Sequence, residues 1–341
     1  MRCTVGGQAS QTGHEGTRLK VAFDSRAKGD PQGIGRYVRC LLEALRTTAV
    51  EGNEITETSR PRRSEVFHSP WLDGALLRCP CPMVVTLHDL VNLKRPSEYL
   101  RNGIRFRLRY LAVAHADRVI VPTEAVAADA QERLELDSDR ITVIHEAAAP
   151  MMYPRDEAQV AAVRSRYKLP HEYLLWVGGL VHPQPRKRVA ALAQAARRMP
   201  LVLAGPAREW ARELPDVILT GQVSDDELAA LYSGAHALVF PSEDEGFGLP
   251  AIEALACGTP VAVCDSPALR EVLGDRATFV ESGNMAGLLE AGASARRPAP
   301  APPVWSWDDA ARATWAVYAT AAASATSLRT SRVPRLPRGA F

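Results

Sequence analysis

Residues 241–258 read Pro241-Ser242-Glu243-Asp244-Glu245-Gly246-Phe247-Gly248-Leu249-Pro250-Ala251-Ile252-Glu253-Ala254-Leu255-Ala256-Cys257-Gly258. The apolar run before them, 237–240, reads as a buried strand, and 250–256 reads as a helix. Gly246 and Gly248 permit backbone angles that other residues avoid and leave room for a ligand to approach. Pro250 suits the start of a helix and Gly258 its stop. A strand, a polar glycine turn and a helix N-terminus in succession gather free N–H groups and partial positive charge, a ready site for a phosphate.

Glu245 and Glu253 flank this turn, eight positions apart. A carboxylate beside a phosphate repels it, so the pair makes sense if each accepts hydrogen bonds from hydroxyls on either side of the phosphate. A nucleotide sugar has that layout, with a ribose diol, a diphosphate and then sugar hydroxyls. The plainer alternative is a capped helix with two solvent-facing glutamates.

Outward from this stretch, short apolar runs alternate with amphipathic ones, which argues for βαβ units and parallel sheets. In the first half, strands are expected at 19–23, 66–68, 83–87, 118–121 and 141–144. Helices are expected from 33 to about 45, over 98–115 and over 123–134, with 47–64 a polar loop. The region 150–170 reads as a crossover between domains. A second series follows, with strands at 173–177, 201–203, 217–219, 237–240, 260–264 and 277–280. Its helices are expected at 187–198, 224–232, 250–256 and 266–273. Residues 297–303 are rich in Pro and Ala and read as an extended linker, and 307–323 as a final helix. The resulting organisation is a flexible leader (1–18), an N-terminal domain (19–150), a C-terminal domain (151–296), a Pro-rich linker (297–304), a C-terminal helix (305–325) and a basic tail (326–341).

The 341 residues suffice for two domains with separate cores. A net charge of +2 argues against a nucleic-acid partner. Of the 41 basic residues only five are lysines, so Lys187 carries some information. Cys79-Pro80-Cys81 lacks the spacer of a zinc or thioredoxin motif; reduced thiols in a cytoplasm are expected. No apolar run approaches membrane-spanning length.

Residues 241–258 resemble the E-x(7)-E motif of glycosyltransferase family 4, and other segments fit that family in the same order. The resemblance is to bacterial mannosyltransferase-like members and runs from about Lys20 to Tyr318. It implies a GT-B fold: two Rossmann-like α/β domains facing each other across a cleft, with the C-terminal helix packing back on the N-terminal domain. It also implies that Glu245 binds hydroxyls of the transferred sugar and Glu253 those of the ribose. The backbone of Gly246, Phe247, Gly248 and Leu249 would face the sugar and diphosphate. Trp176-Val177-Gly178-Gly179 precedes Pro185-Arg186-Lys187, where the family carries an Arg/Lys pair on the diphosphate. Lys187 matches the family lysine, and Arg186 stands in for an arginine that usually lies nearer Gly179. In Gly33-Ile34-Gly35-Arg36-Tyr37 the resemblance implies a glycine loop near the donor phosphate, with Gln32 replacing the first glycine of the usual pair. His88, in Thr86-Leu87-His88-Asp89, ends a strand where ligands of parallel sheets sit and matches a family histidine near the anomeric centre. His68 also ends a strand and is read as structural, with acceptor binding as the alternative. Val223, after Gly221-Gln222, would lie against the nucleotide base, or simply in a turn before a helix.

The resemblance implies a retaining hexosyltransferase with His88, Glu245 and Lys187 at the reacting centre. Gly33, Arg186, Lys187, Val223, Glu253 and the 246–249 turn would bind the donor. Its co-substrate would be a nucleoside diphosphate sugar such as GDP-mannose or UDP-glucose, with no metal and no further cofactor. The acceptor would be a glycan or lipid-linked hydroxyl in polysaccharide or glycoconjugate biosynthesis. The setting would be cytoplasmic, with peripheral contact at the inner face of a membrane as an option for the arginine-bearing tail. A phosphorylase, an epimerase or a hydrolase on the same fold, and a non-catalytic sugar-binding homologue, remain open at this point.

Overall fold

The computed structural model describes residues 18–94 and 103–327. The leader and tail lie outside them, except for Arg18 and residues 326 and 327, as do the first five positions of the helix expected at 98–115.

Two six-stranded parallel sheets form the frame. The first has the order β2-β1-β3-β4-β5-β6, with β1 Lys20–Phe23, β2 Glu54–Glu57, β3 Val66–Ser69, β4 Met83–Thr86, β5 Arg118–Val121 and β6 Ile141–Val143. The second has the order β12-β11-β10-β7-β8-β9, with β7 Leu174–Val177, β8 Leu201–Ala204, β9 Val217–Gly221, β10 Ala237–Phe240, β11 Val261–Cys264 and β12 Thr278–Val280. Every residue of β3, β4, β8, β10 and β11 is buried. That explains why they read as mainly apolar runs, β3 with its His68 and Ser69 excepted: helices cover both faces of a parallel sheet. The helices are α1 Gly33–Thr47, α2 Val91–Lys94, α3 Gly103–Ala114, α4 Glu124–Leu134, α5 Glu157–Tyr167, α6 Val189–Gln194, α7 Glu209–Arg212, α8 Asp225–Gly234, α9 Leu249–Ala256, α10 Pro267–Leu273, α11 Met285–Ala293 and α12 Trp307–Ser327.

Four expectations need correction. The loop at 47–64 contains β2, a polar edge strand paired with β1 through Ile55 and Val21; charge on an edge strand hides its period. The crossover at 150–170 contains α5, started by a capping box in which Asp156 accepts from Gln159 N at 2.8 Å. The helix expected at 187–198 is broken at Arg188, whose φ of 46° separates a turn at Pro185–Lys187 from α6. After β12 comes α11, whose two glycines weaken its helical signal and whose first turn Asn284 caps through Gly287 N.

The final helix returns to the first sheet. Trp315 Nε1 donates to Leu45 O (3.2 Å) and Arg118 Nη2 to Ser324 Oγ (3.1 Å). Fully buried Tyr318 bonds His68 Nδ1 at 2.6 Å, and His68 Nε2 lies 2.9 Å from Thr86 Oγ1. Burial and the neighbouring His88 charge push His68 down to about 3, so its ring is neutral and structural. The five described cysteines are free thiols. No helix among the described residues is long and apolar enough to cross a membrane.

Candidate active site

The carboxyl ends of the two sheets face one another across a cleft of about 660 Å³. From the C-terminal domain come the turn after β10, the Lys187 segment after β7 and the loop carrying Val223. From the other domain come the start of α1, the His88 loop after β4 and Glu146 after β6.

The glycine turn forms as expected and has a further role. Gly248 takes φ 91° and serves as the N-cap of α9, with Pro250 in the first helical turn. A β-carbon on Gly246 would overlap the carbonyl oxygen of His88 in the opposite domain. Thr123 Oγ1 also donates to Gly246 O across the cleft at 3.0 Å. Gly33 faces Leu249, with its missing side chain 3.9 Å from Leu249 Cδ1. Phe247 lines the cleft, but its ring is buried in a cluster with His145 and Trp305. Val223 lines the cleft just before Ser224 caps α8.

All the charged candidates reach this cleft. Glu245 lies 3.5 Å from Arg186 Nη1, too long for a good hydrogen bond, and its shielded Oε1 has no hydrogen-bond partner among the described residues. Arg186 also donates to Asp244 O at 3.2 Å and lies 3.9 Å from Asp89. Burial opposes its charge, but Glu245, Asp89 and Asp244 more than offset that and hold its pKa above the ordinary value. The Lys187 ammonium sits beside Gly178 and makes no ion pair or hydrogen bond with a described residue. Burial pulls its pKa down, and nearby Glu245 only partly opposes this. An enclosed cation without a partner is suited to a bound anion.

His88 is more committed than the sequence suggested. Its Nδ1 lies 3.1 Å from Glu146 Oε1 and its Nε2 3.0 Å from Pro70 O. Both neighbours are acceptors, so the doubly protonated ring satisfies them together. Burial opposes the charge, but Glu146 and the Pro70 carbonyl outweigh it and raise the His88 pKa. Tyr37 stacks edge-on against the ring at 4.5 Å.

Glu253 lies inside the cleft wall, 2% exposed. Tyr232 OH donates to its Oε2 at 3.3 Å, and Arg36 Nε stands 3.0 Å from its Oε1. Burial pushes its carboxyl up to about 7 against the pull of Arg36 and Tyr232.

Sequence reasoning missed Glu146 and gave Arg36 no role. Glu146 follows the last strand of the first sheet, where the rule that ligands gather at strand carboxyl ends could have marked it. Arg36 carried no local signal.

Two facing Rossmann-like domains with the last helix returned to the first define a GT-B scaffold. Residues 171–295 match the family model for glycosyl transferases group 1, and residues 63–148 match that for glycosyltransferase family 4. The chain belongs to this family. It is 30% identical over 220 residues to the serotype-specific mannosyltransferase WbdA of Escherichia coli, covering 57% of this chain and 27% of that protein. It is 32% identical over 270 residues to the D-inositol 3-phosphate glycosyltransferase of Thermobispora bispora, covering 69% of this chain and 61% of that protein. The chain thus spans less than two thirds of either relative. The structure of Anabaena Alr3699/HepE in complex with UDP-glucose superposes with a TM-score of 0.64 at 15% identity, over 91% of this chain and 100% of that one.

Proposed function

We propose that this protein is a retaining glycosyltransferase that moves a hexose of mannose or glucose type from a nucleoside diphosphate sugar to a hydroxyl of a glycan or lipid-linked acceptor. The observation that carries this reading is one cleft lined by Glu245, Glu253 and Lys187, whose ammonium has no partner among the described residues. The relatives named for mannosyl transfer and the HepE complex with UDP-glucose support the donor class. The reaction is proposed to run in the cytoplasm, with peripheral membrane contact where the acceptor is lipid-linked.

In this reading the diphosphate lies at the 246–249 turn and Lys187, the sugar at Glu245 and the ribose at Glu253. As the bond from the anomeric carbon to the phosphate oxygen breaks, negative charge grows on the leaving group, and Lys187 with Arg186 stabilises it. These fixed cations supply the positive charge that a metal would otherwise bring. The acceptor oxygen attacks the anomeric carbon on the face the leaving group departs from. Its proton passes to the leaving phosphate oxygen. His88 keeps both ring nitrogens on Glu146 and Pro70, so its contribution is a placed backbone carbonyl against Gly246.

The test is a thermal-shift panel of UDP, GDP and their hexose conjugates, followed by transfer assays with the donor that binds. A ligand at about 100 times its dissociation constant should stabilise the fold by roughly 2.7 kcal/mol. Failure of every nucleotide to shift the transition would overturn the reading. Sugar release that depends on inorganic phosphate would instead identify a phosphorylase.

A further inference from the structure

Arg36 belongs to α1 of the N-terminal domain, yet its guanidinium is directed at the C-terminal domain. Nη2 donates to Asp225 Oδ1 at 2.6 Å and Nη1 to Met151 Sδ at 3.9 Å, while Nε stands 3.0 Å from Glu253 Oε1. Each nitrogen of the guanidinium therefore has a separate neighbour, and the residue is 8% exposed. Glu253 forms no ion pair with any other described residue.

We propose that Arg36 is a positioning residue: it holds the Glu253 carboxylate in the orientation that accepts the ribose hydroxyls of a nucleoside diphosphate, so ribose recognition exists only while the two domains are closed on one another. The inference rests on the ribose role given to Glu253 above.

Three observations support it. A carboxylate this deeply enclosed is costly to ionise without a counter-charge, and the counter-charge comes from the other domain. Glu253 Oε1, although 3.0 Å from Arg36 Nε, has no aligned hydrogen bond and no access to water, so it retains acceptor capacity. Asp225 pins the far edge of the guanidinium, which fixes the direction from which Nε meets Glu253. Moving α1 away from α8 and α9 would remove all of this at once. Glu253 would then keep only Tyr232.

The test is calorimetric titration of the full chain with UDP, GDP and their 2′-deoxy counterparts, in the wild type, R36Q, R36K and E253Q. The wild type is expected to prefer the ribonucleotide of the base it accepts by about tenfold or more, the worth of a hydrogen bond to a charged group. In R36Q that preference should fall towards one, as in E253Q. R36K, which keeps the charge without the fork, should lie between. A ribose preference in folded R36Q equal to the wild-type value would overturn the inference and leave the donor-site reading intact. If R36Q does not fold, R36K decides, and a wild-type preference there has the same meaning. Binding of neither UDP nor GDP by the wild type would remove the donor-site reading itself.

Discussion

The carbonyl oxygen of His88 occupies the space that a β-carbon on Gly246 would need, so the two domains touch backbone to backbone at the floor of the cleft. Thr123 Oγ1, on the same side as His88, donates to the Gly246 carbonyl. Gly246→Ala should therefore force the His88 loop and the donor turn apart. Turnover should fall at least about tenfold, with a stability loss of about 1–3 kcal/mol, as for other overpacked sites. Steady-state kinetics beside thermal melts check this, and unchanged turnover would show that closure tolerates the added methyl.

Lys187→Ala and Glu245→Gln should separate. The first removes the unpartnered cation, so both nucleoside diphosphate affinity and turnover should drop, with turnover down by about 10²–10³. The second should leave UDP or GDP affinity within about threefold while turnover falls by a similar factor. Near-normal activity in both variants would dismiss the proposed chemistry.

His88 gives a pH signature. Its pKa is raised in the folded chain, so the stabilisation it contributes is complete below its unfolded value near 6.5 and disappears as pH rises through the folded one. The groups facing the ring are Glu146, the Pro70 carbonyl, Asp89, Tyr37 and the neutral His68. Melting temperatures of the wild type and Glu146→Gln, taken from pH 5 to 9, should differ most at the acid end and converge at the alkaline end. A constant gap would mean that Glu146 supports the fold without holding a proton on His88.

Glu253 gives a slope of the same sign for a different reason. Burial raises its carboxyl to about 7, above an unfolded value near 4.3. The native state therefore binds the extra proton between these values, and wild-type stability declines as pH rises through that window. Arg36, Tyr232, Asp225, Glu146, Cys40 and Cys257 surround the group. Glu253→Gln lacks this slope, so its stability relative to wild type should improve between pH 5 and 8 by at most about 3 kcal/mol while nucleotide binding weakens. Parallel melting curves for the two proteins across that range would refute the burial argument.

Both sheets were legible because most of their inner strands are apolar runs, and the donor turn was legible because its glycines, proline and glutamates lie within eighteen consecutive residues. The unread parts depend on distance or on mixed signals. Arg36 and Asp225 are 189 positions apart, and no local pattern in α1 marks an outward-facing arginine as a contact to the other domain. Glu146 looks like an ordinary loop acid until the fold sets it against His88. The break at Arg188 escaped notice because its left-handed backbone sits inside a helix-favouring stretch. β2 escaped because an edge strand with one half-buried side chain at Ile55 resembles a loop.

The seat of α12 on the first sheet has a consequence for how the chain is made. Tyr318, His68 and Thr86 form one buried polar chain, and Tyr37 OH joins it at Thr86 Oγ1 at 3.0 Å. The first sheet, made before α12, thus lacks one wall until that helix is synthesised, whereas the strands of the second sheet are all available sooner. Assembly order would then run against chain order, with the half-built first unit leaving apolar surface open to chaperones in the interval.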